Sequence, residues 1–488
     1  MSRSSLEELV EHFIEPQAVL DAYAALWDPD APPVLCIDGL SGNGKSRLLD
    51  YLHILHDPGR LRVLLDLDDL RLAEGHRWLD DLGKELARQV ATIDLAAYWG
   101  TADELDRERA QIKPAAPQVR QQQGAWLKGR IEGSPQTVHV DLSPAVAEAN
   151  ERKAKHDRTA RKQLTKALFD ALEPLAGREW VLLVDTYERV AHLADAEFRA
   201  WLEREFLDTL ARRQPRARVV IAGREGLPEG GHCIPAPPLT DWDKAASDRF
   251  LAGWRAVDPM LRQRVIDPTL RQAIYDHCQG HPLVTDLARQ VWKAGIESGQ
   301  PLKAADLRPH TNQRAAIEWL LDKFAERLPA GLKEAVRAAA LLRDLSHEAL
   351  NALLPDELAD DLYRRLRGLS FVGRPPAPVR VHDLIRQVED SYRRREKPDE
   401  YRRLHAAAFD YFAARNDVLN GLYHLLALDD EVARAEWITA IDQARLSLDL
   451  DAQSQLLGLL QMPERQTWLQ PHTRAFHSLF TGLLAHYQ

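Results

Sequence analysis

The chain has 488 residues, of which 45% are apolar and 28% are charged, and its formal net charge is −10. A chain of this length exceeds a single hydrophobic core, so we expect roughly three or four domains. The negative charge argues against general non-specific binding of nucleic acid, although a local basic patch remains compatible with such binding.

Cysteine usage and hydropathy indicate the compartment. The three cysteines, Cys36, Cys233 and Cys278, are far apart in sequence, which excludes a CxxC metal site and a disulfide framework and indicates a reducing environment. The first residues have no signal-peptide pattern, and no apolar run has the length of a membrane helix. We therefore expect a cytoplasmic protein with no membrane partner.

The first part of the chain predicts an α/β sheet. Apolar residues at helical spacing predict one helix over 5–14 and a second that ends near Trp27. The strand–helix–strand order that follows favours parallel strands. Its predicted elements are a buried strand at 34–37, a helix over about 45–56, a strand at 62–67 and a helix over 77–96.

A predicted insertion separates these elements from two further strands. Residues 100–142 contain several prolines and three consecutive glutamines, which predict a loop-like insertion. A long polar helix over about 150–166 comes next. Buried strands are predicted at 180–184 and 218–222, with a helix over about 194–213 between them.

From Asp241 onward the pattern is almost entirely helical. Within 331–386, three short helices are followed by two short strands, 371–374 and 379–382, which is the pattern of a winged helix. Beyond residue 400 the chain is helical again. The start of a helical-repeat array of the tetratricopeptide type is compatible with this stretch, although we find no convincing internal period.

One segment predicts a phosphate-binding loop. Residues 39–46 match G-x-x-x-x-G-K-[ST] at every fixed position, directly after a buried strand and before a helix. In such a Walker A loop, backbone N–H groups surround a phosphate, Lys45 reaches the β- and γ-phosphates, and the Ser46 hydroxyl binds Mg²⁺. The residues predicted to bind nucleotide here are Gly39, Leu40, Ser41, Gly42, Asn43, Gly44, Lys45, Ser46 and Arg47.

Two carboxylates follow the strand at 180–184. Asp185 comes directly after four apolar residues and is the predicted second Mg²⁺ ligand. Glu188 is a candidate for polarising the attacking water, and a solvated loop carboxylate is nearly as good an interpretation. Asp66 and Asp68, at the end of another strand, are interpreted as sheet-edge or capping groups.

Arg224 follows the strand at 218–222, at the edge of the sheet where ligands of open α/β sheets bind. A guanidinium group there can sense a γ-phosphate through charge-assisted hydrogen bonds. The competing interpretation is a surface arginine.

These motifs together resemble the STAND family of signal-transduction ATPases, over residues 30 to about 400. Gly280-His281-Pro282-Leu283 looks like the family's G-x-P motif, and Val381-His382-Asp383-Leu384 looks like its His-Asp motif. The resemblance implies that Pro282 packs by the adenine and that His382 contacts the ADP β-phosphate and holds a closed form. An ordinary helix break at Pro282 and an ordinary wing residue at His382 are the alternatives.

The resemblance also implies a domain order and a function. It implies an ATP/ADP-binding switch with Mg²⁺ that closes on ADP and, on a partner's signal, opens and oligomerises with ATP, in bacterial signalling or antiviral defence. The predicted domains are N-terminal helices over 1–30, a P-loop NTPase domain over 31–235, a helical domain over 236–315, a winged helix over 316–400 and C-terminal helices over 401–488.

The chain also departs from the family's pattern. No glycine precedes Gly39, although many members carry an upstream Gly-Arg motif, and Thr186 stands where many have a second acidic residue. Both departures weaken any claim of fast hydrolysis, so slow ATPase activity is an open possibility. We expect the roughly 30 residues before the core to be too few for an effector domain, so that an effector, if there is one, would lie beyond the helical tail or on another protein.

Two other functions compete with the switch. Arginines crowd the last helix and wing of the winged-helix segment, which would suit a DNA-handling ATPase of the initiator or helicase-loader kind, and ion pairing explains them equally well. A small-molecule kinase is the weaker alternative, because no second substrate pocket or lid is evident. The arginines concerned are Arg364, Arg365, Arg367, Arg374, Arg380 and Arg386.

Overall fold

The structure is a computed structural model of the whole chain, and its described part falls into two compact units. It describes residues 13–56, 59–67, 75–112, 144–188, 190, 196–224, 226–228, 233–253, 264–308, 312–354, 356–373, 379–462, 469 and 471–487. The first unit consists of Met1–Asp66, Val181–Tyr187 and Arg218–Pro398, and the second of Leu67–Trp180, Glu188–Ala217 and Asp399–Gln488.

A five-stranded sheet forms the core of the first unit. The strands are β1 (Val34–Asp38), β2 (Leu61–Asp66), β3 (Trp180–Asp185), β4 (Ala217–Gly223) and β5 (Cys233–Pro235). Their order across the sheet is β2-β3-β4-β1-β5, and β1 pairs in parallel with both β4 and β5. The apolar runs of β3 and β4 are buried along their whole length, as expected for strands covered on both faces.

Helices cover this sheet. The helix α1 (Gln17–Ala25) buries Val19 and Leu20 in a cluster with Leu35 of β1. After β1, α2 (Lys45–Tyr51) continues as a π-helical turn, Leu52–His56.

The helical part of the first unit follows β5. It contains α8 (Lys244–Gly253), α9 (Pro268–Cys278), α10 (Pro282–Glu297), α11 (Gln313–Arg327), α12 (Ala330–Ala339), α13 (His347–Leu353), α14 (Asp360–Arg367) and α15 (Asp383–Glu396). The three short helices predicted between 331 and 367 correspond to α12, α13 and α14. Within the described residues, the two predicted short strands reduce to one antiparallel bridge, Val372 to Val381.

The second unit is helical. Its helices are α3 (Gly75–Gln89), α4 (Ala96–Gln111), α5 (Pro144–Ala171), α6 (Ala196–Ala200), α7 (Leu207–Arg213), α16 (Pro398–Ala413), α17 (Val418–Leu428), α18 (Asp430–Leu446), α19 (Leu450–Gln461) and α20 (Pro471–Tyr487). A π-helical turn, Trp201–Phe206, joins α6 to α7. Trp437 and Phe480 pack edge to face in its C-terminal core. None of the helices in the described part is long and apolar enough to cross a membrane.

The sequence predicts four of the five strands to within a residue at each end, and three predictions need correction. The helix predicted over 77–96 ends earlier, since α3 spans Gly75–Gln89 and a separate helix, α4, begins at Ala96. Residues 100–111 are not loop-like, because they lie in α4, whose alanines, leucine and charged residues favour a helix. The strand β5 is missed, because three residues ending in proline are too short to show a period.

Some predictions fall on residues that the structure does not describe. The helix over 5–14 lies outside the described residues except for its last two positions, which are not helical. The remainder of the insertion after residue 112, Asp68 and Arg374 also lie outside the described residues.

Candidate functional site

Glycines shape the loop between β1 and α2. Gly42 and Gly44 have φ values of 84° and 91°, in the left-handed region that favours glycine. A Cβ on Gly42 would also lie 2.5 Å from Cε1 of His281. The two glycines are therefore required by backbone conformation and, at position 42, by a close neighbour.

Lys45 lies over this loop. Its side chain is only 8% exposed, and its Nζ donates hydrogen bonds to the carbonyl oxygens of Gly39 and, at 3.0 Å, of Leu40. The Ser41 hydroxyl is buried in the same loop and has no hydrogen-bond partner among the described residues. A buried ammonium group and an unsatisfied hydroxyl beside glycine N–H groups suit a bound phosphate.

The other predicted loop positions differ in exposure. Leu40 is 68% exposed, whereas Asn43 is buried and donates from Nδ2 to the Leu239 carbonyl oxygen at 2.9 Å. Arg47 is half-buried on α2. Asn43 therefore ties the loop to Leu239, and within the described part of the chain no contact joins Arg47 to the loop.

Asp185 ends β3 as a buried carboxyl group. Burial raises its pKa and the neighbouring Asp66 raises it further, while a hydrogen bond from Ser46 and the N–H of Thr186 lower it. The hydroxyl of Thr186 donates to Asp66 at 2.8 Å. Asp66 is thus more than the edge or capping group predicted for it, because its charge acts on Asp185.

Ser46 and Asp185 fit a Mg²⁺ ion that is shared with a nucleotide. Mg²⁺ favours one or two carboxylate or hydroxyl ligands together with phosphate oxygens and water. Among the described residues, no group of three or more His, Cys, Asp or Glu side chains is arranged to hold a metal alone. A divalent cation at Ser46 and Asp185 would offset the cost of burying the carboxylate.

Glu188 is buried in a helical turn after β3 and belongs to the second unit. Its predicted role with the attacking water stays a prediction.

The Gly-x-Pro segment is the turn between α9 and α10. Pro282 is buried at the first position of α10, and His281 caps this helix, accepting a hydrogen bond from the N–H of Val284 at Nδ1. The other ring nitrogen of His281 lies 3.0 Å from the carbonyl oxygen of Ser41. Position 280 needs glycine, since its φ is 74° and a Cβ would lie 2.0 Å from the Trp242 carbonyl oxygen.

His382 lies in a positively charged environment at the start of α15. Its Nδ1 accepts a hydrogen bond from the N–H of Leu384 at 3.2 Å. The pKa of His382 is lowered to about 4, chiefly by burial and in part by Arg224, His281 and Lys45, against the opposing effect of Asp383. The His-Asp segment and the phosphate loop are therefore close enough to interact.

Arg224 forms an ion pair with Asp383. Its Nη2 lies 3.1 Å from Oδ2 of Asp383, and the buried Arg386 lies 3.7 Å from the other carboxylate oxygen. Because β4 lies between β1 and β3 in the sheet, Arg224 follows the strand that separates the phosphate loop from Asp185.

The structure thus brings together most of the predicted site residues of the first unit. Lys45 and Arg224 both act on His382, and Ser46 is bonded to Asp185. Sequence reasoning missed His281 and Asp383 as participants. A signal for His281 exists in the sequence, because a residue directly before a proline that opens a helix occupies the capping position.

Carboxylates neutralise several arginines of the predicted basic cluster. Arg380 is bonded to Asp344 at 2.8 Å, and Arg365 lies 3.4 Å from Glu297. Arg386 has Asp383 beside it. Of the six arginines, these three are matched by acids, which reduces the positive charge available to a nucleic acid.

No protein-family model matches the sequence, and no curated protein matches it. A solved structure that matches it is a signal transduction ATPase with numerous domains (STAND) from Pyrococcus horikoshii, which has a tetratricopeptide repeat sensor. The two chains are 13% identical, with a TM-score of 0.46, and the match covers 95% of this chain and 56% of that one. This chain therefore spans little more than half the length of that protein, and a likeness at this level does not establish a common function.

Proposed function

We propose that this chain is an ATP- and ADP-binding switch of the STAND type. The observation that carries the proposal is the convergence of two positive groups from distant segments beside the glycine-rich loop, since Lys45 and Arg224 both lower the pKa of His382. Like charges gathered in a partly buried place repel one another, and an anionic ligand relieves that repulsion. A nucleotide's phosphates next to a glycine-rich loop are the anion that this arrangement suits best.

In this proposal, Lys45 and the loop N–H groups bind the phosphates, and Pro282 packs against the adenine. Ser46 and Asp185 hold Mg²⁺, which neutralises phosphate charge. Asp185, Glu188 and Arg224 are the residues proposed to act in hydrolysis. We expect slow hydrolysis, because Thr186 occupies the place of a second acidic residue.

The switch itself rests on His382 and Asp383. With ADP bound, His382 contacts the diphosphate, and the segment with α12, α13 and α14, which we propose is a winged helix, stays closed. A protein partner or trigger sensed by the tetratricopeptide-like C-terminal helices favours ATP, opening and homo-oligomerisation. We place this cycle in the cytoplasm, in bacterial signalling or antiviral defence.

The first experiment is to purify the protein without added nucleotide, denature it and identify any released nucleotide by chromatography. Near-stoichiometric ADP supports the closed switch. The Lys45→Ala variant, purified in parallel, is expected to release little nucleotide. An empty wild-type site that shows no saturable nucleotide binding would reject the proposal.

The second experiment measures oligomeric state and DNA binding. Light scattering in the presence of ADP and of a slowly hydrolysed ATP analogue is expected to show larger particles only with the analogue. Steeply salt-dependent binding of duplex DNA would instead favour the DNA-handling ATPase. The ion pairs at Arg365, Arg380 and Arg386 make that outcome less expected.

A further inference from the structure

The turn before α10 touches the tip of the phosphate loop at three points. Nε2 of His281 lies 3.0 Å from the carbonyl oxygen of Ser41. The N–H of Leu283 donates to the carbonyl oxygen of Gly42 at 3.3 Å. The imidazole ring also occupies the space into which a Cβ on Gly42 would project.

Both ring nitrogens of His281 are used, and this fixes the tautomer. Since Nδ1 accepts from the N–H of Val284, the ring proton is on Nε2, which donates to the Ser41 carbonyl oxygen. The residue is only 1% exposed, and burial lowers its pKa, so the neutral ring persists at neutral pH. One side chain therefore caps a helix and holds a loop carbonyl group.

These contacts control where the donors of the phosphate loop point. In a trans peptide the C=O and the following N–H point in opposite directions. Holding the carbonyls of Ser41 and Gly42 toward the turn therefore directs the next two N–H groups away from it. The N–H of Asn43 in fact faces the Leu40 carbonyl oxygen at 3.3 Å, the same oxygen to which Lys45 donates.

We propose that His281 is a positioning residue for nucleotide retention. It holds the Ser41 carbonyl group toward the turn, so that the N–H of Gly42 faces the other way, toward the phosphates. It also ties the loop to the start of α10, so nucleotide leaves only after this bond breaks. The inference rests on the proposed function, since it assumes that the loop binds nucleotide. It assigns this task to His281, in addition to the packing role of the neighbouring Pro282.

Two substitutions remove the two hydrogen bonds of His281 one at a time. Asparagine places an oxygen near the position of Nδ1 and is a good capping residue, but it does not reach Ser41. Glutamine carries an N–H near the position of Nε2 and loses the cap. His281→Asn thus removes the loop bond, and His281→Gln removes the cap.

The test measures dissociation of mant-ADP by stopped-flow fluorescence and the melting temperature of the nucleotide-free protein. His281→Asn is expected to release mant-ADP about tenfold faster, as for the loss of one buried hydrogen bond, with little change in melting temperature. His281→Gln is expected to restore slow release while melting at a lower temperature.

His277 supplies a matched control. It is buried on α9, and its Nδ1 lies 2.7 Å from the Arg308 carbonyl oxygen. His277→Gln is expected to lower the melting temperature and leave mant-ADP release unchanged. Equal release rates in His281→Asn and wild type would overturn the inference alone, whereas wild-type protein that never binds mant-ADP would overturn the proposed function as well.

Discussion

The candidate site of the first unit and the helical core of the second unit use buried charge in opposite ways. At the site in the first unit, Lys45 and Arg224 place positive charge around His382, and Asp66 places negative charge beside Asp185. In the second unit, opposite charges meet. Arg109 of α4 lies 3.0 Å from Asp157 of α5 and 3.3 Å from Asp451 of α19.

The second unit also satisfies its buried amides internally. Asn150 donates to the carbonyl oxygens of Val146 and Arg445, and it accepts a hydrogen bond from Gln453. Such a closed network stabilises a helical packing and calls for no ligand. A gathering of like charges does the reverse, because its energy is lowered only when a ligand or metal arrives. A buried charge alone thus does not indicate a binding site. A buried charge whose neighbours carry the same sign does indicate one.

The largest effect is expected from a substitution that removes the lysine of the candidate site in the first unit. Lys45→Ala removes the ammonium group from the loop, and charged hydrogen bonds contribute about 2–3 kcal/mol, so affinity for ADP should fall about 100-fold. Wild-type protein should gain about 2.7 kcal/mol of stability when ADP is present at 100 times Kd, and the variant should gain almost none at the same concentration. Calorimetry and thermal unfolding measure both quantities, and full binding by the variant would contradict the assignment of the loop.

The next effect is confined to the second unit. Arg109→Met leaves Asp157 and Asp451 partly buried without their shared cation, so unfolding by denaturant should cost about 2 kcal/mol less. Dissociation of mant-ADP should not change, because no ligand depends on this network. Faster nucleotide release in Arg109→Met would show that nucleotide binding depends on the Arg109 network, contrary to our inference.

The third effect tests the positive environment of His382 by pH. Its pKa of about 4 lies below its ordinary value of 6.5. Between these values the unfolded chain binds more protons than the folded one, so stability falls as pH drops through this window. A bound diphosphate favours the protonated ring and raises its pKa, so ADP should bind more tightly as pH falls, by at most about tenfold per pH unit for one proton.

His382→Ala should remove this additional pH dependence, release ADP faster and raise basal oligomerisation. Mant-ADP titrations between about pH 5.5 and 8 compare the variant with wild type, and the nucleotide's own ionisation cancels because it is common to both. Unchanged release rates and an unchanged pH profile of binding would show that His382 does not contact the nucleotide.

The sequence predicts the parts of the site that depend on a local pattern. The loop at 39–46, the buried strands and the carboxylate of Asp185 follow from spacing and apolar runs alone. Asp383 and His281 could be placed on their helices but not paired, because their partners Arg224 and Ser41 are far away along the chain and only the fold brings them together. The strand β5 and helix α4 were missed or misjudged because neighbouring prolines dominate their local composition.

The smallest effect concerns the ion pair between Arg224 and Asp383. Both side chains are partly exposed, and pairs of this kind contribute about 0.2–1 kcal/mol, so Asp383→Asn should change thermal stability little. The amide also removes a negative charge next to His382, which frees Arg224 to act on the nucleotide's terminal phosphate. Oligomerisation should therefore need an about two- to fivefold lower concentration of the ATP analogue, a factor that corresponds to the range of about 0.2–1 kcal/mol for such ion pairs.

Asp344→Asn is the control. It removes an acid of similar exposure beside Arg380 and should leave the required concentration of the analogue unchanged. If both variants lower the nucleotide requirement equally, the effect comes from the change in net charge. The pair between Arg224 and Asp383 would then not belong to a charge cluster that depends on a ligand.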